Sequence, residues 1–381
     1  MNFVFIAPRR YVQGRNLLRE AGGYIAKVGR KPLALWDARV RQIVGERLLA
    51  SIKEAKLDVV DVEFKGDSTR PEVARVAQIA RESGSDMIVG VGGGKTLDTA
   101  KAAAAAAGIK MVSVPTVAST DSPTSSFTVW YDEQGNCTGF ESWGVNPDLV
   151  LVDSQVIADA PVRAFVAGMG DALSTWVEAR VVQQTRGQNL AGGITTMAAM
   201  AIARLGYDTL MEHGLQAMRA VEKHVVTPAV EKVIEANTLL SGLGFESCGV
   251  ATAHMIANCL PSFPECRGLM HGEEVSFGII SQLCLEDDTP TAEIHKIVDF
   301  EIAIGLPVTF ADIRLEGISR ERLRKIGDIC AGPGSLCHAH PFKVTSDSII
   351  DAMIAADALG RERKKLLGIP CQPDPSSPVT S

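Results

Sequence analysis

Three polar residues interrupt apolar helical stretches in the second half of this 381-residue chain: Asp171 in GMGDALSTW, His254 in GVATAHMIANCL and His271 in LMHGEEVSFG. Two imidazoles and one carboxylate form the borderline N/O donor set that Zn2+ or Fe2+ accepts, and three protein ligands leave positions open for a substrate oxygen. Spacing alone leaves a second reading open, because a His on an apolar helix face is often a hydrogen-bonded core residue. Cys330, Cys337, His338 and His340 also have ligand chemistry, but the Gly-Pro-Gly interruption and the lack of paired spacing favour an ordinary loop there.

A different chemistry is offered by residues 86–108, DMIVGVGGGKTLDTAKAAAAAAG. This reads as a buried strand, a triple-glycine turn, and a helix that starts at about Lys95 or Thr96 and stops at Gly108. Gly92, Gly93 and Gly94 carry no Cβ, so backbone can approach a bulky anion, and the unpaired N–H groups of the helix start turn toward it. A pyrophosphate fits such a place. The G-x-G-x-x-G fingerprint fails at Leu97, and the P-loop pattern fails at Val89, so neither motif transfers. A turn that binds nothing is the alternative, but three glycines followed by Lys and Thr exceed what chain reversal needs.

The elements that must position these groups follow from pattern. Residues 31–36, 57–64, 87–91 and 110–114 read as strands, with helices over 40–55 and 71–83 between them, so the first part is an α/β domain with a parallel sheet. Ligands bind at the carboxyl edge of such a sheet, which places Asp37, just after the first clear strand, in one crevice with the glycines. Its carboxylate can accept from the ribose hydroxyls and repel a 2′-phosphate, or it can cap the following helix. The hydroxyl-rich loop 115–126 carries Asp121 between two prolines after another strand end, a setting that suits a site. Strands at 127–131 and about 146–153, separated by a turn at 132–135, close the domain. Beyond Pro161 the texture is helical throughout, with segments at 161–183, 192–212, 214–225, 227–243, 249–260, 273–286, 291–304, 319–331 and 346–362. The reading is therefore an α/β domain over 1–160, an all-α domain over 161–367 and a disordered tail over 368–381, with four prolines in the tail.

Composition narrows the partners. A net charge of −7 argues against nucleic-acid and anionic-membrane surfaces, and no apolar run has the length of a membrane span. The N-terminal MNFVFIAPRRY lacks the form of a signal peptide, and eight cysteines without regular spacing suit reduced thiols, so a cytoplasmic protein is expected.

The runs GGGKTLDTAK, PTVASTDSPTSS, GMGDALSTWVEAR, HVVTPAVEKVIEANTLLSGLGFESCG and HGEEVSFG resemble glycerol dehydrogenases of the iron-containing, or group III metal-dependent, alcohol dehydrogenase superfamily. The resemblance extends to about residue 365. It implies a Rossmann-like N-terminal domain and a helical C-terminal domain, as in dehydroquinate synthase, with NAD and Zn2+ (or Fe2+) in the cleft and a homo-oligomer, commonly an octamer. It also implies that Asp171, His254 and His271 hold the metal and that Asp121 contacts the substrate, a polyol. The cofactor would meet Asp37, the three glycines, Lys95, Thr96, Asp98, Thr116, Ser119, Ser125, Phe127 and Tyr131. Relatives usually have Gly where this chain has Trp36 and Leu where it has Phe127. The reaction implied is NAD-dependent oxidation of glycerol or a similar vicinal diol to the hydroxyketone. The alternatives are another alcohol or hydroxy-acid dehydrogenase, a dehydroquinate synthase-like lyase, or a nucleotide-binding protein without catalysis.

Overall fold

The computed structural model describes residues 2–135 and 137–370. Its main sheet joins β1 (Tyr11–Gly14), β2 (Pro32–Trp36), β3 (Val60–Glu63), β4 (Met87–Gly92), β5 (Lys110–Pro115) and β8 (Leu149–Asp153) in the order β1-β8-β5-β4-β2-β3. Every pairing in it is parallel, for example Leu35 opposite Gly90 and Gly92 opposite Pro115. All six residues of β4 are buried, as expected of a central strand covered on both faces. Side chains alternate between two apolar clusters, with Trp36, Val89 and Val112 on one face and Leu35, Ile88 and Met111 on the other. The helices α1 (Ala21–Ile25), α2 (Ala38–Glu54), α3 (Arg70–Ser83) and α4 (Gly94–Ala107) supply the covering layers.

Two features here differ from the sequence expectation. The half-buried edge strand β1 has no apolar run to announce it, and it pairs with β8 through Tyr11 and Val150. The turn at 132–135 does not lead to the strand at 149–153. It leads to β7 (Cys137–Ser142), which pairs antiparallel with β6 (Phe127–Tyr131) in a separate two-stranded sheet. Largely exposed and containing Gly139, β7 shows no buried pattern that sequence reading could detect.

The rest of the described chain is helical: α5 (Ser154–Asp159), α6 (Val162–Thr185), α7 (Met197–Val221), α8 (Pro228–Glu235), a π-helical segment (Ala236–Leu240), α9 (Ser241–Cys248), α10 (Thr252–Cys259), α11 (His271–Leu285), α12 (Thr291–Ile304), α13 (Arg320–Ala331) and α14 (Ser346–Leu366). One long α7 replaces the two expected helices split at His213 and Gly214. That glycine makes room for the Phe300 ring of α12, 2.7 Å from where a Cβ would stand, and does not break the helix. The expected helix over 227–243 is instead α8, the π turn and α9 in succession, ending at Gly249 with φ +88°. Gly368 (φ +69°) and the Ile369 N–H, which donates to Lys364 O at 2.9 Å, close α14. The remainder of the expected tail, 371–381, lies outside the described residues. Among those described, no helix is long and apolar enough to cross a membrane, and the cysteines are free.

Candidate metal centre and dinucleotide crevice

The strand order reverses between β2 and β4: β3 lies outside β2, while β5, β8 and β1 follow β4 on the other side. The crevice beyond the carboxyl ends at such a reversal is where open α/β sheets bind ligands. Asp37 follows the end of β2 and Gly92 ends β4 there. Helix α4 starts at Gly94, one residue before the sequence estimate, and Gly93 offers no side chain to cap it. Gly94 faces the hydroxyl loop, and a Cβ on it would stand in van der Waals contact with it, 3.7 Å from Thr120 Oγ1 and 3.8 Å from Ser122 Cβ. Lys95 flanks the turn, ion-paired with Asp67 and with its Nζ 4.4 Å from the centre of the Tyr131 ring.

The other sequence-selected residues divide between the crevice and its foundations. Asp37 caps α2, accepting from Val40 N at 2.8 Å. Thr96 is buried beneath the turn, and Thr116 N donates to Gly92 O at 3.0 Å. Asp98 faces inward: Oδ1 accepts from Ser122 Oγ at 2.7 Å and Lys101 Nζ at 2.9 Å, while Oδ2 accepts from Val129 N at 2.9 Å. Ser119 is half-buried, Ser125 buried, and Phe127 packs between the rings of Phe140 and Phe245.

The loop itself is held from below by groups that the sequence did not single out. Asn237, in the π-helical segment, donates from Nδ2 to Ala118 O at 3.1 Å and to Phe165 O at 3.0 Å. Thr124 Oγ1 donates to Thr238 O at 2.7 Å. The buried Glu246 carboxylate accepts from Ser126 N at 2.7 Å, from Ser126 Oγ at 2.5 Å, and from Asn146 Nδ2.

Asp171, His254 and His271 converge, with one ligand atom from each lying within 4.8 Å of the others. Asp171 sits inside α6, His254 is in the first turn of α10, and His271 opens α11. Both Nε2 atoms stand 3.5 Å from Asp171 Oδ1. The approach of the helices depends on small residues. A Cβ on Gly272 would overlap the Ala167 carbonyl of α6, and one on Gly278 would overlap the Ala253 carbonyl of α10.

Asp171 Oδ1 is buried without a hydrogen-bond partner, a costly state that a cation among the three donors would relieve. The donor set therefore fits a divalent metal. Access is from one side, because the His271 side chain is 36% exposed whereas those of His254 and Asp171 are 8% and 2% exposed. Burial alone would raise the Asp171 carboxyl, but His271 and His254 outweigh it and hold that carboxyl below the usual range. Asp121 N donates to Asp171 Oδ2 at 3.3 Å, which ties the hydroxyl loop to the trio. Desolvation and the Asp171 carboxylate push the Asp121 carboxyl well above its ordinary value.

Among the described residues the Cys/His group at 330–340 does not form a metal-ligand cluster, although Cys330 and Cys337 meet. Cys330 and Cys337 pack in a helical core, His338 Nε2 lies 2.9 Å from Gly332 O, and His340 Nε2 lies 2.8 Å from Thr252 Oγ1. Among the described residues, Asp171, His254 and His271 are the one such group with metal-binding geometry.

A dinucleotide-type crevice beside a site that fits a divalent metal suits an oxidoreductase, and comparison with known proteins shows one. Residues 8–154 match the family model for iron-containing alcohol dehydrogenase. The chain is 42% identical to glycolaldehyde reductase of Halobacterium salinarum, covering 95% of this chain and 99% of that protein. It is also 42% identical to glycerol dehydrogenase of Thermotoga maritima, over 95% and 98% of the two chains. Among solved structures, a probable glycerol dehydrogenase from Sinorhizobium meliloti superposes with a TM-score of 0.89 at 40% identity, covering 95% of this chain and all of that one. The chain belongs to the iron-containing alcohol dehydrogenase family, and it is an enzyme, an oxidoreductase acting on a small molecule.

Proposed function

We propose that this enzyme uses NAD to oxidise glycerol, or a closely similar vicinal diol, to the hydroxyketone, which for glycerol is dihydroxyacetone. The observation that carries this reading is the unpartnered, buried Oδ1 of Asp171 facing two histidine Nε2 atoms at 3.5 Å. Asp171, His254 and His271 hold Zn2+ or Fe2+. When bound, the metal supplies Lewis acidity at the alcohol oxygen and the nicotinamide a hydride acceptor. An alcohol is too weak an acid to ionise unaided near neutral pH, and this trio is the set of groups best placed to meet that need.

The chain's own residues do the placing. Gly92, Gly93, Gly94 and the start of α4 receive the pyrophosphate, and Asp37 takes the adenosine ribose. Lys95, Thr116, Ser119, Phe127 and Tyr131 border the cofactor, while Thr96, Asp98 and Ser125 support it from below. Asp121, tied to the metal ligands through its backbone N–H, orients a hydroxyl of the diol. Residues 1–160 and 161–367 act as two domains about the cleft. The enzyme works in the cytoplasm, and exposed apolar side chains such as Phe3, Val145 and Met197 support a homo-oligomer.

A panel of polyols, amino alcohols and 2-hydroxy acids with NAD+, followed by NADH absorbance, tests the reading; glycerol should give the highest kcat/KM, and turnover confined to hydroxy acids would sink it. Asp121→Asn should lower kcat on the order of 100-fold while leaving NADH binding nearly unchanged. Parallel loss of NADH binding would assign Asp121 to the cofactor instead. A second reading, reduction of a small hydroxyaldehyde, is favoured by the identity with the halobacterial glycolaldehyde reductase. The same panel run with aldehydes and NADH separates the two.

A further inference from the structure

Beyond the three metal-site residues lies a buried carboxylate that capping alone does not explain. Glu178 is fully buried on α6, and its hydrogen bonds go to Ala251 and His254, at the start of α10. Oε1 accepts from Ala251 N at 2.7 Å and from His254 N at 3.0 Å, and Oε2 lies 2.5 Å from His254 Nδ1. Burying a carboxylate without a Lys or Arg partner is costly, and neutral side chains can cap a helix. A group that must both cap α10 and hold one ring nitrogen of His254 accounts for the choice.

Resting on the metal reading above, we propose that Glu178 is the positioning residue of the metal centre: it fixes the proton of His254 on Nδ1 and so presents Nε2 to the metal. A carboxylate only accepts, and with two backbone N–H groups on Oε1 the remaining oxygen requires a donor at Nδ1. The arrangement ties the site together at a second level. Glu178 lies seven residues, two turns, beyond Asp171 on one face of α6, and Gln282 lies eleven residues, about three turns, beyond His271 on one face of α11. Gln282 Oε1 accepts from Ala253 N at 2.9 Å. The two helices that carry the other ligands thus also grip the start of the helix that carries His254.

Glu178→Gln separates positioning from capping. An amide has one accepting oxygen and a donating NH2. If the oxygen keeps the two backbone N–H groups, the NH2 faces Nδ1, and the ring proton moves to Nε2, where it blocks the metal. The expected result is a Zn2+ dissociation constant raised at least about tenfold in chelator competition. The visible spectrum of the Co2+-loaded chain should change as well, while the metal-free melting temperature moves little. An unchanged dissociation constant and Co2+ spectrum in the folded variant would overturn the proposal. Failure of the wild-type chain to take up stoichiometric Zn2+ would overturn the underlying metal reading instead. For a variant that does not fold, a crystal structure of the wild-type chain grown with Zn2+ decides. Nε2 on the metal with Nδ1 on Glu178 supports the proposal, and ligation through Nδ1 or by Glu178 itself overturns it.

Discussion

The glycine turn and the Asp171, His254 and His271 trio are neighbouring candidate sites built in opposite ways. The first is contiguous: β4, Gly92 to Gly94 and α4 follow one another, and the backbone path alone creates a place for an anion. The second joins α6, α10 and α11, whose ligands are far apart in sequence, and it exists only because those helices cross at backbone contact. A contiguous site inherits its geometry from local structure. A dispersed one is only as accurate as the packing between its elements, so substitutions that leave every ligand in place can still destroy it.

The largest expected effect tests that claim directly. Gly272→Val places a branched side chain into the Ala167 carbonyl, so α11 must move away from α6. A loss of about 3 kcal/mol of stability is expected, with loss of bound metal, although all three ligands remain. Metal content by mass spectrometry and thermal unfolding read the two effects, and a variant with full metal would break the comparison.

His254→Ala comes next, and it should be worse for the fold than His271→Ala. Removing His254 leaves buried Glu178 Oε2 without its donor, at a cost of about 3 kcal/mol. His271 is partly exposed, so its removal should cost less stability, and circular dichroism should show the helices intact in both. Both should lose metal and turnover; stoichiometric metal in both would refute the trio. The smallest effect belongs to the contiguous side. Asp37→Gly should cost only a few tenths of a kcal/mol as a cap, yet narrow the preference for NAD over NADP. Equal kcat/KM for both cofactors in the wild-type enzyme would remove the ribose role.

What was legible in the sequence follows the same division. The parallel α/β order, the helical second part, the glycine turn and its helix could be read because strand and helix periods and glycine punctuation are local signals. The three ligand types were visible as polar interruptions, but their convergence was not, since it depends on crossings at Gly272 and Gly278. Glu178 stands in the quoted run GMGDALSTWVEAR, and its place on the same helix face as Asp171 was the available clue. Its bonds to α10 are tertiary and left no local trace. The strand β7 was missed because it is largely exposed, and Gly214 was read as a break because a glycine that admits a neighbouring ring looks, in sequence, like one that ends a helix.

The hydroxyl loop is held by hydrogen bonds to buried groups. Asp98 and Lys101 grip Ser122, Asn237 grips Ala118, Thr238 grips Thr124, and Glu246 grips Ser126. Thr116, Ser119 and Asp121 are only half-buried, and their side chains are not among those grips. On the proposed function, anchoring and recognition fall to different residues of one short segment. Exchanges at the recognition positions need not disturb the anchors, so a lineage built on this scaffold can change its substrate by point substitution without first having to rebuild its fold.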